Sequence, residues 1–366
     1  MRILHTESSV GWGGQEIRIL TEAQGMLRRG HQVTLVTPAS ADIWPAARKR
    51  SIPVVALPIE KKRFAALTAL TRWLRSHRRD FDVINTHSST DSWLTALACT
   101  WLRDAPPIVR TRHVSTAIGR NRPTRWLYQS ATRHIVTTGE ALRRQLAEQN
   151  GFDLSRMTSV RTGIDLGTFR PMDRAGCRRE LGIDPRPTLG ILAALRNWKG
   201  HDYLLDAWAR LRTKFPAWRL LVVGDGPQRA RLEARVKNEG LNDSVRFVGN
   251  QDDVPRWLNA LDLFTLPSFG DEGVPQGLMQ AMACGLAVVA TPVGAIEEAV
   301  QRDRTGLIVP PKDAPALAEA LGRLMGDGTL RSAMGQAGQA HAQAHFGLDA
   351  MLDRMEAVFG KTMGHA

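Results

Sequence analysis

Short runs of apolar, often β-branched residues alternate along the chain with longer stretches whose hydrophobic residues recur every three to four positions. The short runs are typical of buried strands, and the longer stretches are typical of amphipathic helices. In the first half we predict strands at 3–6, 33–36, 54–57, 83–86, 108–111 and 135–138, and helices near 15–29, 64–78, 91–102 and 139–149. This alternation predicts an α/β fold with a parallel sheet covered on both faces.

The same alternation restarts beyond a segment rich in proline, glycine and charge at 167–188, which we interpret as a linker. Further strands are predicted at 189–193, 220–223, 245–247, 263–266, 287–290 and 307–309, followed by a helix at 313–325 and a mostly helical remainder. Because 366 residues are many for one hydrophobic core, we expect two domains, at 1–170 and 186–345. Ligands of doubly wound sheets lie at the carboxyl ends of the strands, and two facing units would form a cleft.

The composition favours a cytoplasmic protein. No apolar run in the sequence reaches the roughly 20 residues of a membrane-spanning helix, and polar residues follow the first methionine too soon for a signal peptide. Three cysteines, Cys99, Cys177 and Cys284, have neither metal-site nor disulfide spacing. We interpret them as reduced packing residues.

The net charge of +13 belongs almost wholly to the first half of the chain. Residues 1–169 contain 25 Lys and Arg against 13 Asp and Glu, whereas residues 170–366 contain 24 against 23. Along the stretch 64–79, the basic residues Arg72, Arg75 and Arg79 form a row. A surface of one sign attracts anionic partners, so we expect peripheral contact with anionic inner-leaflet lipid. The alternative is the solvated face of an ordinary core helix.

A glycine-containing motif, Gly11-Trp12-Gly13-Gly14, lies between the first predicted strand and the helix after it. Glycine lets the backbone approach a ligand closely, and a helix N-terminus presents free N–H groups to an anion. The motif lacks the third glycine of the dinucleotide-binding fingerprint. Phosphate contact is one interpretation, and a plain tight turn is the other.

Two cations, Arg196 and Lys199, follow the predicted strand at 189–193. They suit a diphosphate, because arginine can bind two oxygens at once and lysine acts as a point charge. The alternative is a solvated loop with two ordinary charges.

The segment at 267–285 gives the strongest signal. After a predicted strand, a loop with Asp271 and Glu272 leads into a helix that Pro275 opens and Gly285 ends. A carboxylate before a helix N-terminus can accept hydrogen bonds from sugar hydroxyls, while the helix end faces phosphate.

In this order along the chain, the motifs resemble glycosyltransferase family 4, whose members are retaining enzymes of GT-B fold with two Rossmann-like domains. Further matching segments are 110–113, 161–165, 223–227, 287–294 and 305–310. The resemblance implies that the first domain binds the acceptor and the second binds a nucleotide-sugar donor. It also implies that a C-terminal helix within 346–366 packs back on the first domain.

The family's donor site is marked by two glutamates with seven residues between them. The first position falls on Glu272, implied to contact hydroxyls of the donor sugar. The second falls on Gln280, where the family's glutamate binds ribose; glutamine keeps a carbonyl acceptor but loses the charge. The donor-binding residues implied are Gly13, Gly14, Arg196, Lys199, Glu272, Gly273, Val274, Pro275, Gln276 and Gln280.

His113, after the predicted strand at 108–111, matches a histidine that faces the donor sugar. With Glu272, Arg196 and Lys199 it forms the implied catalytic set. His87, after the strand at 83–86, is a second candidate. Asp91 is a third, with a helix N-cap as its alternative. The cations Arg120, Arg122 and Arg125 follow His113 and would meet a phosphate on the acceptor.

The resemblance implies transfer of a hexose-type sugar from a donor such as a UDP- or GDP-hexose, with retained configuration. No metal or other cofactor is expected, because protein cations meet the diphosphate. From the charge we expect an anionic acceptor, such as a lipopolysaccharide core or a lipid-linked glycan.

Three alternatives remain at this point. One is a nucleotide-sugar epimerase or hydrolase of the same fold, and another is a catalytically weak partner subunit, which Gln280 suggests. The third is a basic, non-catalytic protein that binds nucleic acid or a membrane surface. Against nucleic acid, the basic residues lack regular aromatic interleaving, and the sequence shows no nucleic-acid-binding motif.

Overall fold

The computed structural model describes residues 1–270 and 272–364, so Asp271 and the last two residues of the predicted segment 346–366 lie outside the described part. The chain divides into two compact units. The first comprises Met1–Gly163 and the chain from Leu348 onward, and the second is Ile164–Gly347. The predicted boundary at 170 is therefore too late, because residues 164–170 belong to the second unit.

The first unit is built on a parallel sheet. Its strands are β1 (Arg2–Thr6), β2 (Gln32–Thr37), β3 (Val54–Ala56), β4 (Val83–Thr86), β5 (Ile108–Arg112), β6 (His134–Thr137) and β7 (Met157–Ser159), in the order β3-β2-β1-β4-β5-β6-β7. Its helices before the second unit are α1 (Gly14–Arg28), α2 (Ile43–Lys49), α3 (Phe64–His77), α4 (Ser89–Leu102), α5 (Arg122–Trp126) and α6 (Glu140–Asn150). Strand β7 was not predicted, because it is short and two of its three residues are polar.

Both faces of this sheet are covered, as the alternation predicted. Successive side chains of a strand point to opposite faces, so Ile3 and Leu4 of β1 belong to two different clusters of the core. Helix α3 buries Leu67, Leu70 and Leu74 in the second of these clusters. Its arginines stay on the outer face, as expected for an amphipathic helix.

The second unit repeats the plan. Its strands are β8 (Thr188–Leu192), β9 (Arg219–Val223), β10 (Val245–Gly249), β11 (Leu263–Leu266), β12 (Val288–Ala290) and β13 (Gly306–Ile308), parallel and in the order β10-β9-β8-β11-β12-β13. Its helices are α7 (Arg174–Glu180), α8 (His201–Leu211), α9 (Arg229–Asn238), α10 (Val254–Asn259), α11 (Gln276–Ala283), α12 (Ala314–Gly326) and α13 (Gly328–His345).

The segment at 167–188 is not a linker, because it contains α7 and packs within the second unit. Asp173 caps this helix by accepting hydrogen bonds from the N–H groups of Ala175 at 3.1 Å and Gly176 at 3.0 Å. Arg178 then forms an ion pair of 2.5 Å with Asp262. The charges and glycines that suggested a linker therefore begin and anchor a helix.

The last helix, α14 (Leu348–Met363), belongs to the first unit and packs against α1. A Cβ added at Gly25 of α1 would lie only 2.5 Å from Cδ1 of Leu352, so glycine permits this close approach. Arg29 forms ion pairs with Asp353 at 2.7 Å and Glu356 at 3.1 Å. A glycine, an apolar face and an arginine thus join the two ends of the chain.

In each sheet the strand order reverses direction once. The chain moves outward from β1 to β3 and then returns to β4 on the other side of β1, and β8 and β11 have the same relation. Ligands of open parallel sheets bind where the order reverses, outside the carboxyl ends of the strands. Ligand-binding residues are therefore expected directly after β1, β4, β8 and β11. Within 1–270 and 272–364, no helix is long and apolar enough to cross a membrane.

Candidate functional site

In the second unit, the loops after β8 and β11 bring a predicted cation and a predicted carboxylate together. Nζ of Lys199 donates to Oε1 of Glu272 at 2.6 Å. The hydroxyl of Ser268 donates to the same oxygen at 2.8 Å. Since the carboxylate is almost wholly buried, these partners fix its orientation at the sheet edge.

Two glycines let these loops approach so closely. At Gly200, φ is +77° and a Cβ would lie 1.9 Å from the carbonyl oxygen of Pro267. At Gly294, φ is +59° and a Cβ would lie 1.9 Å from the carbonyl oxygen of Glu272. Any side chain at either position would meet backbone, so both positions require glycine.

Arg196 is exposed beside this pair, with its guanidinium carbon 5.4 Å from the centre of the Trp198 ring. Its charge is therefore available to a ligand, whereas Lys199 is already neutralised by Glu272. An anion bound here would meet one exposed cation and one cation that must share its charge with a carboxylate.

The other predicted donor residues lie on and before α11. Pro275 is the residue just before the helix rather than in its first turn, and Gly285, with φ +79°, follows its end as predicted. Val274 is buried, whereas Gly273 and Gln276 are half-buried.

Gln280 lies one turn further along α11 and is also half-buried. Its side chain makes no hydrogen bond to the residues that the structure describes. An amide at this position therefore keeps both its oxygen and its NH₂ group for a ligand.

In the first unit, three histidines form a row along the carboxyl ends of β1, β4 and β5. Nδ1 of His5 lies 2.9 Å from Nε2 of His87, and Nδ1 of His87 lies 3.0 Å from Nε2 of His113. The predicted candidates His87 and His113 are thus neighbours. Sequence reasoning missed His5, whose signal was a polar residue inside an apolar strand.

Burial keeps these imidazoles neutral. It lowers the pKa of His5 to about 3 and lowers the pKa values of His87 and His113 well below the usual range. The row can therefore donate and accept hydrogen bonds at neutral pH without adding positive charge.

The row also indicates which nitrogen of each ring is protonated. Nε2 of His5 is buried and has no partner among the described residues. Because buried N–H groups are rarely unpaired and unpaired acceptors are tolerated better, this nitrogen should be the acceptor. The protons then belong on Nδ1 throughout, which leaves Nδ1–H of His113, the least buried of the three, as the donor at the end of the row.

A carboxylate pair lies beside the histidines. Asp91 accepts hydrogen bonds from the N–H groups of His87 at 3.0 Å and Ser88 at 2.9 Å, and from the hydroxyls of Thr6 and Ser8. Ser88 is the N-cap of α4, so the helix-cap interpretation of Asp91 applies, with Asp91 in the third helical position of a capping box.

Glu7, the other member of the pair, was missed by sequence reasoning. It accepts hydrogen bonds from the N–H of Ser9 and from the side chains of Gln15 and Ser88. Burial, followed by the charge of Asp91, raises its pKa to about 8.

The glycine motif follows Glu7 along the chain and leads into α1. Gly13 is the N-cap of α1 and Gly14 is the first helical residue, so the predicted place at a helix N-terminus is correct. With φ of −178° at Gly13, the backbone is extended and any residue could adopt it. A need for positive φ therefore does not explain the glycine. Over the described residues, no group of three or more His, Cys, Asp or Glu side chains is arranged as metal ligands.

Comparison with known proteins assigns the family. Residues 12–168 match the model described as Glycosyltransferase Family 4, and residues 186–327 match the one described as Glycosyl transferases group 1. The D-inositol 3-phosphate glycosyltransferase of Mycobacterium sp. (strain KMS) is 32% identical over 88% of this chain and 80% of its own length. The chain belongs to glycosyltransferase family 4.

Other relatives of this family 4 enzyme differ in coverage. The lipopolysaccharide core biosynthesis mannosyltransferase LpsB of Rhizobium meliloti (strain 1021) is 34% identical over 56% of this chain, and the match spans 61% of that relative. The structure of Anabaena Alr3699/HepE in complex with UDP and glucose has a TM-score of 0.87 at 21% identity, covering 98% of this chain and 99% of the other. The predicted GT-B fold and glycosyltransferase activity are thereby confirmed.

Proposed function

We propose that this enzyme transfers a hexose-type sugar, with retained configuration and without a metal ion, from a nucleoside-diphosphate sugar to an anionic glycan or glycolipid. The observation that carries this proposal is the Lys199–Glu272 pair, with Arg196 exposed beside it, at the carboxyl edge of the second sheet. A buried carboxylate and two cations at the point where the strand order reverses suit a sugar joined to a diphosphate.

In this proposal, Arg196 and Lys199 bind the diphosphate, and Glu272 accepts hydrogen bonds from hydroxyls of the donor sugar. Lys199 already contacts Glu272, so both side chains are positioned before the donor arrives. Preorganised charges at a departing diphosphate contribute about 2.7–4 kcal/mol each to transition-state stabilisation. The N-terminus of α11, which begins four residues after Glu272, adds to the same field.

The proposed acceptor region is the first unit. Support comes from its excess of basic residues and from the lipopolysaccharide core mannosyltransferase among the relatives. His113 would present a neutral imidazole to the reacting sugar, and Gly13 and Gly14 would meet the diphosphate from the helix N-terminus. Arg120, Arg122 and Arg125 are exposed and would meet an acidic group of the acceptor.

Peripheral contact with anionic lipid at the cytoplasmic face of the membrane is part of the proposal. On α3, Arg72 and Arg75 are exposed, and Phe64 at its start is 74% exposed. Trp101 of the neighbouring α4 is 57% exposed. Basic residues interspersed with large exposed apolar ones are typical of surfaces that rest on anionic bilayers.

The donor class is tested by thermal shift with UDP, GDP, ADP and their common hexose conjugates in EDTA. A ligand at about 100 times its Kd stabilises the protein by about 2.7 kcal/mol, so one nucleotide should raise Tm clearly. Lys199→Met should abolish that shift, while Lys237→Met, at an exposed position of α9, should leave it intact. A shift that requires magnesium or manganese would contradict the metal-free proposal.

Product analysis then tests the reaction. With donor and a lipopolysaccharide-core acceptor, NMR of the product should show the anomeric configuration of the donor, and omission of acceptor should stop turnover. Acceptor-independent release of free sugar would indicate a hydrolase, and an isomerised nucleotide sugar would indicate an epimerase.

Vesicle co-sedimentation tests the membrane contact. The double variant Arg72→Gln with Arg75→Gln should lose binding to vesicles that contain phosphatidylglycerol. A matched control, Arg210→Gln with Lys237→Gln, removes two exposed charges from the second unit and should bind as the unchanged protein does. Equal binding by both double variants would contradict the contact.

A further inference from the structure

Arg110 of β5 has a buried guanidinium with no hydrogen-bonded anion among the residues that the structure describes. The residue is 3% exposed, and its Nε and Nη1 are buried with no hydrogen-bond partner among the described residues. Its guanidinium carbon lies 4.6 Å from the centre of the Tyr128 ring. Arginine does not lose its proton in proteins, so the charge persists at this position.

The carboxylate of Asp91 does not satisfy this charge. Asp91 is close enough for Arg110 to affect its pKa, which the positive charge lowers against the larger raising effect of burial. Both oxygens of Asp91 are occupied, however, because each accepts one backbone N–H and one hydroxyl. Contact with an aromatic face offsets only about 0.5–2 kcal/mol of the cost of burying the charge.

A second cation, Lys62, lies within electrostatic reach of Arg110. Lys62 precedes α3, and its Nζ donates to the hydroxyl of Ser89 at 3.2 Å. Burial and then the charge of Arg110 lower the pKa of Lys62. Two like charges within electrostatic reach of each other repel, so an anion between them would remove an unfavourable interaction as well as form new ones.

Half-buried aromatic rings lie beside Lys62. Lys62 lies over the Trp93 ring, 5.8 Å from its centre, and the rings of Trp93 and Trp126 stack with their centres 6.0 Å apart. Flat apolar rings next to paired cations suit a ligand that has an apolar face and an anionic group, which describes a phosphorylated sugar.

We propose that Arg110 and Lys62, bordered by Trp93 and Trp126, form a subsite for a phosphate group on the acceptor sugar. This inference rests on the proposed function, since it names the chemical class of the acceptor. It adds the requirement that the acceptor sugar has a phosphate group, because an uncharged sugar would leave the buried charge of Arg110 without an anionic partner.

Binding measurements separate this inference from the proposed function. Isothermal titration with inorganic phosphate, glucose 6-phosphate and glucose should show affinity for the two phosphate probes and little for glucose. Arg110→Met and Lys62→Gln should each weaken glucose 6-phosphate binding about 10- to 100-fold, the range for a lost hydrogen bond to a charged group. Arg110→Lys, which keeps the charge, should recover part of the loss.

Two controls make the result specific. Arg48→Gln removes an exposed charge from α2 and should bind glucose 6-phosphate as the unchanged protein does. UDP affinity should be the same in every variant, which reports both correct folding and an intact donor site. If UDP fails to bind while glucose 6-phosphate binds through Arg110, the proposed function fails and the subsite stands.

Three results would overturn the subsite. One is equal affinity for glucose and glucose 6-phosphate, and another is unchanged phosphate binding in both Arg110→Met and Lys62→Gln. The third distinguishes a lipid headgroup: loss of binding to phosphatidylglycerol vesicles in Arg110→Met without any loss of glucose 6-phosphate binding would assign Arg110 to lipid.

Discussion

The two units have parallel sheets in which the strand order reverses at the same place, yet the residues at that edge differ. In the first unit, His5, His87 and His113 form a buried, neutral row. In the second unit, the same edge has the Lys199–Glu272 ion pair, and Arg196 is exposed next to it. One scaffold thus presents a row of neutral imidazoles in one unit and an ion pair with an exposed cation in the other.

This difference shows that burial determines which chemical role the side chains take at equivalent edges of two similar sheets. Where polar groups are buried together, desolvation favours their neutral forms, which can orient a hydroxyl-bearing substrate without attracting ions. Where a cation remains exposed, it attracts an anion such as a diphosphate. Substitutions at the two edges should therefore differ in their effects.

The charged edge should be the more sensitive to loss of one side chain. Arg196→Ala should lower kcat/KM about 100- to 1000-fold, which corresponds to about 2.7–4 kcal/mol, because it removes a charge at the leaving diphosphate. Its Tm should not change, since Arg196 is exposed. Arg210→Ala, at an exposed position of α8, serves as the control in the same kinetic assay. Full turnover in Arg196→Ala would show that this edge takes no part in the mechanism.

The neutral histidine row should contribute less to kcat/KM than the charged edge does, and its contribution should not depend on pH. His113→Ala should lower kcat/KM about 10- to 100-fold, the cost of one hydrogen bond to a developing charge. Since burial lowers the pKa of His113, its ring stays neutral, and log kcat/KM should show no inflection near pH 6.5 between pH 5.5 and 8.

Nitrogen NMR of histidine-labelled protein tests the same row directly. We expect the Nδ1-protonated tautomer for His5, His87 and His113 at pH 7. An imidazolium signal at pH 7, or a kinetic pKa near 6.5 that His113→Ala abolishes, would mean that this edge is charged as well.

Glu7 should link the stability of the protein to pH. Its folded-state pKa is raised, so its stabilising effect is complete below the unfolded value near 4.5 and is lost as pH rises through about 8. Glu7→Gln should therefore gain unfolding free energy relative to the unchanged protein by up to about 1.4 kcal/mol per pH unit between pH 6 and 7. Denaturant titrations measure this difference, with exposed Glu60→Gln as the control. A constant difference across this range would indicate that Glu7 is ionised.

The smallest effect should come from Gln280, which occupies the position of the family's ribose-binding glutamate. Gln280→Glu should tighten nucleotide binding by about 1 kcal/mol, or about five-fold, because a charged acceptor forms the stronger hydrogen bond. Calorimetry measures it, with Gln336→Glu at an exposed position of α13 as the control. Turnover that appears only in Gln280→Glu would favour the catalytically weak partner subunit.

Much of the fold could be predicted from the sequence. The predicted strands at 83–86 and 263–266 match β4 and β11 residue for residue, because β-branched and apolar runs are local signals. The prediction of a linker at 167–188 was wrong, because proline, glycine and charged residues are also common at helix ends. Only packing distinguishes a linker from a helix end. The short strand β7 was not predicted, because its pairing with β6, rather than its composition, makes it a strand.

The family, the alternation of strands and helices, and the positions of candidate residues after strands all follow from the amino-acid sequence. Which of these residues meet follows only from the folded structure: Lys199 with Glu272, 73 positions apart, and His5 with His87, 82 positions apart. The packing also leaves Nε and Nη1 of Arg110 buried without a hydrogen-bond partner among the described residues. The physical reason is that contacts at a sheet edge depend on strand order and register, which no local pattern encodes, and burial then sets the charge of the groups that meet there.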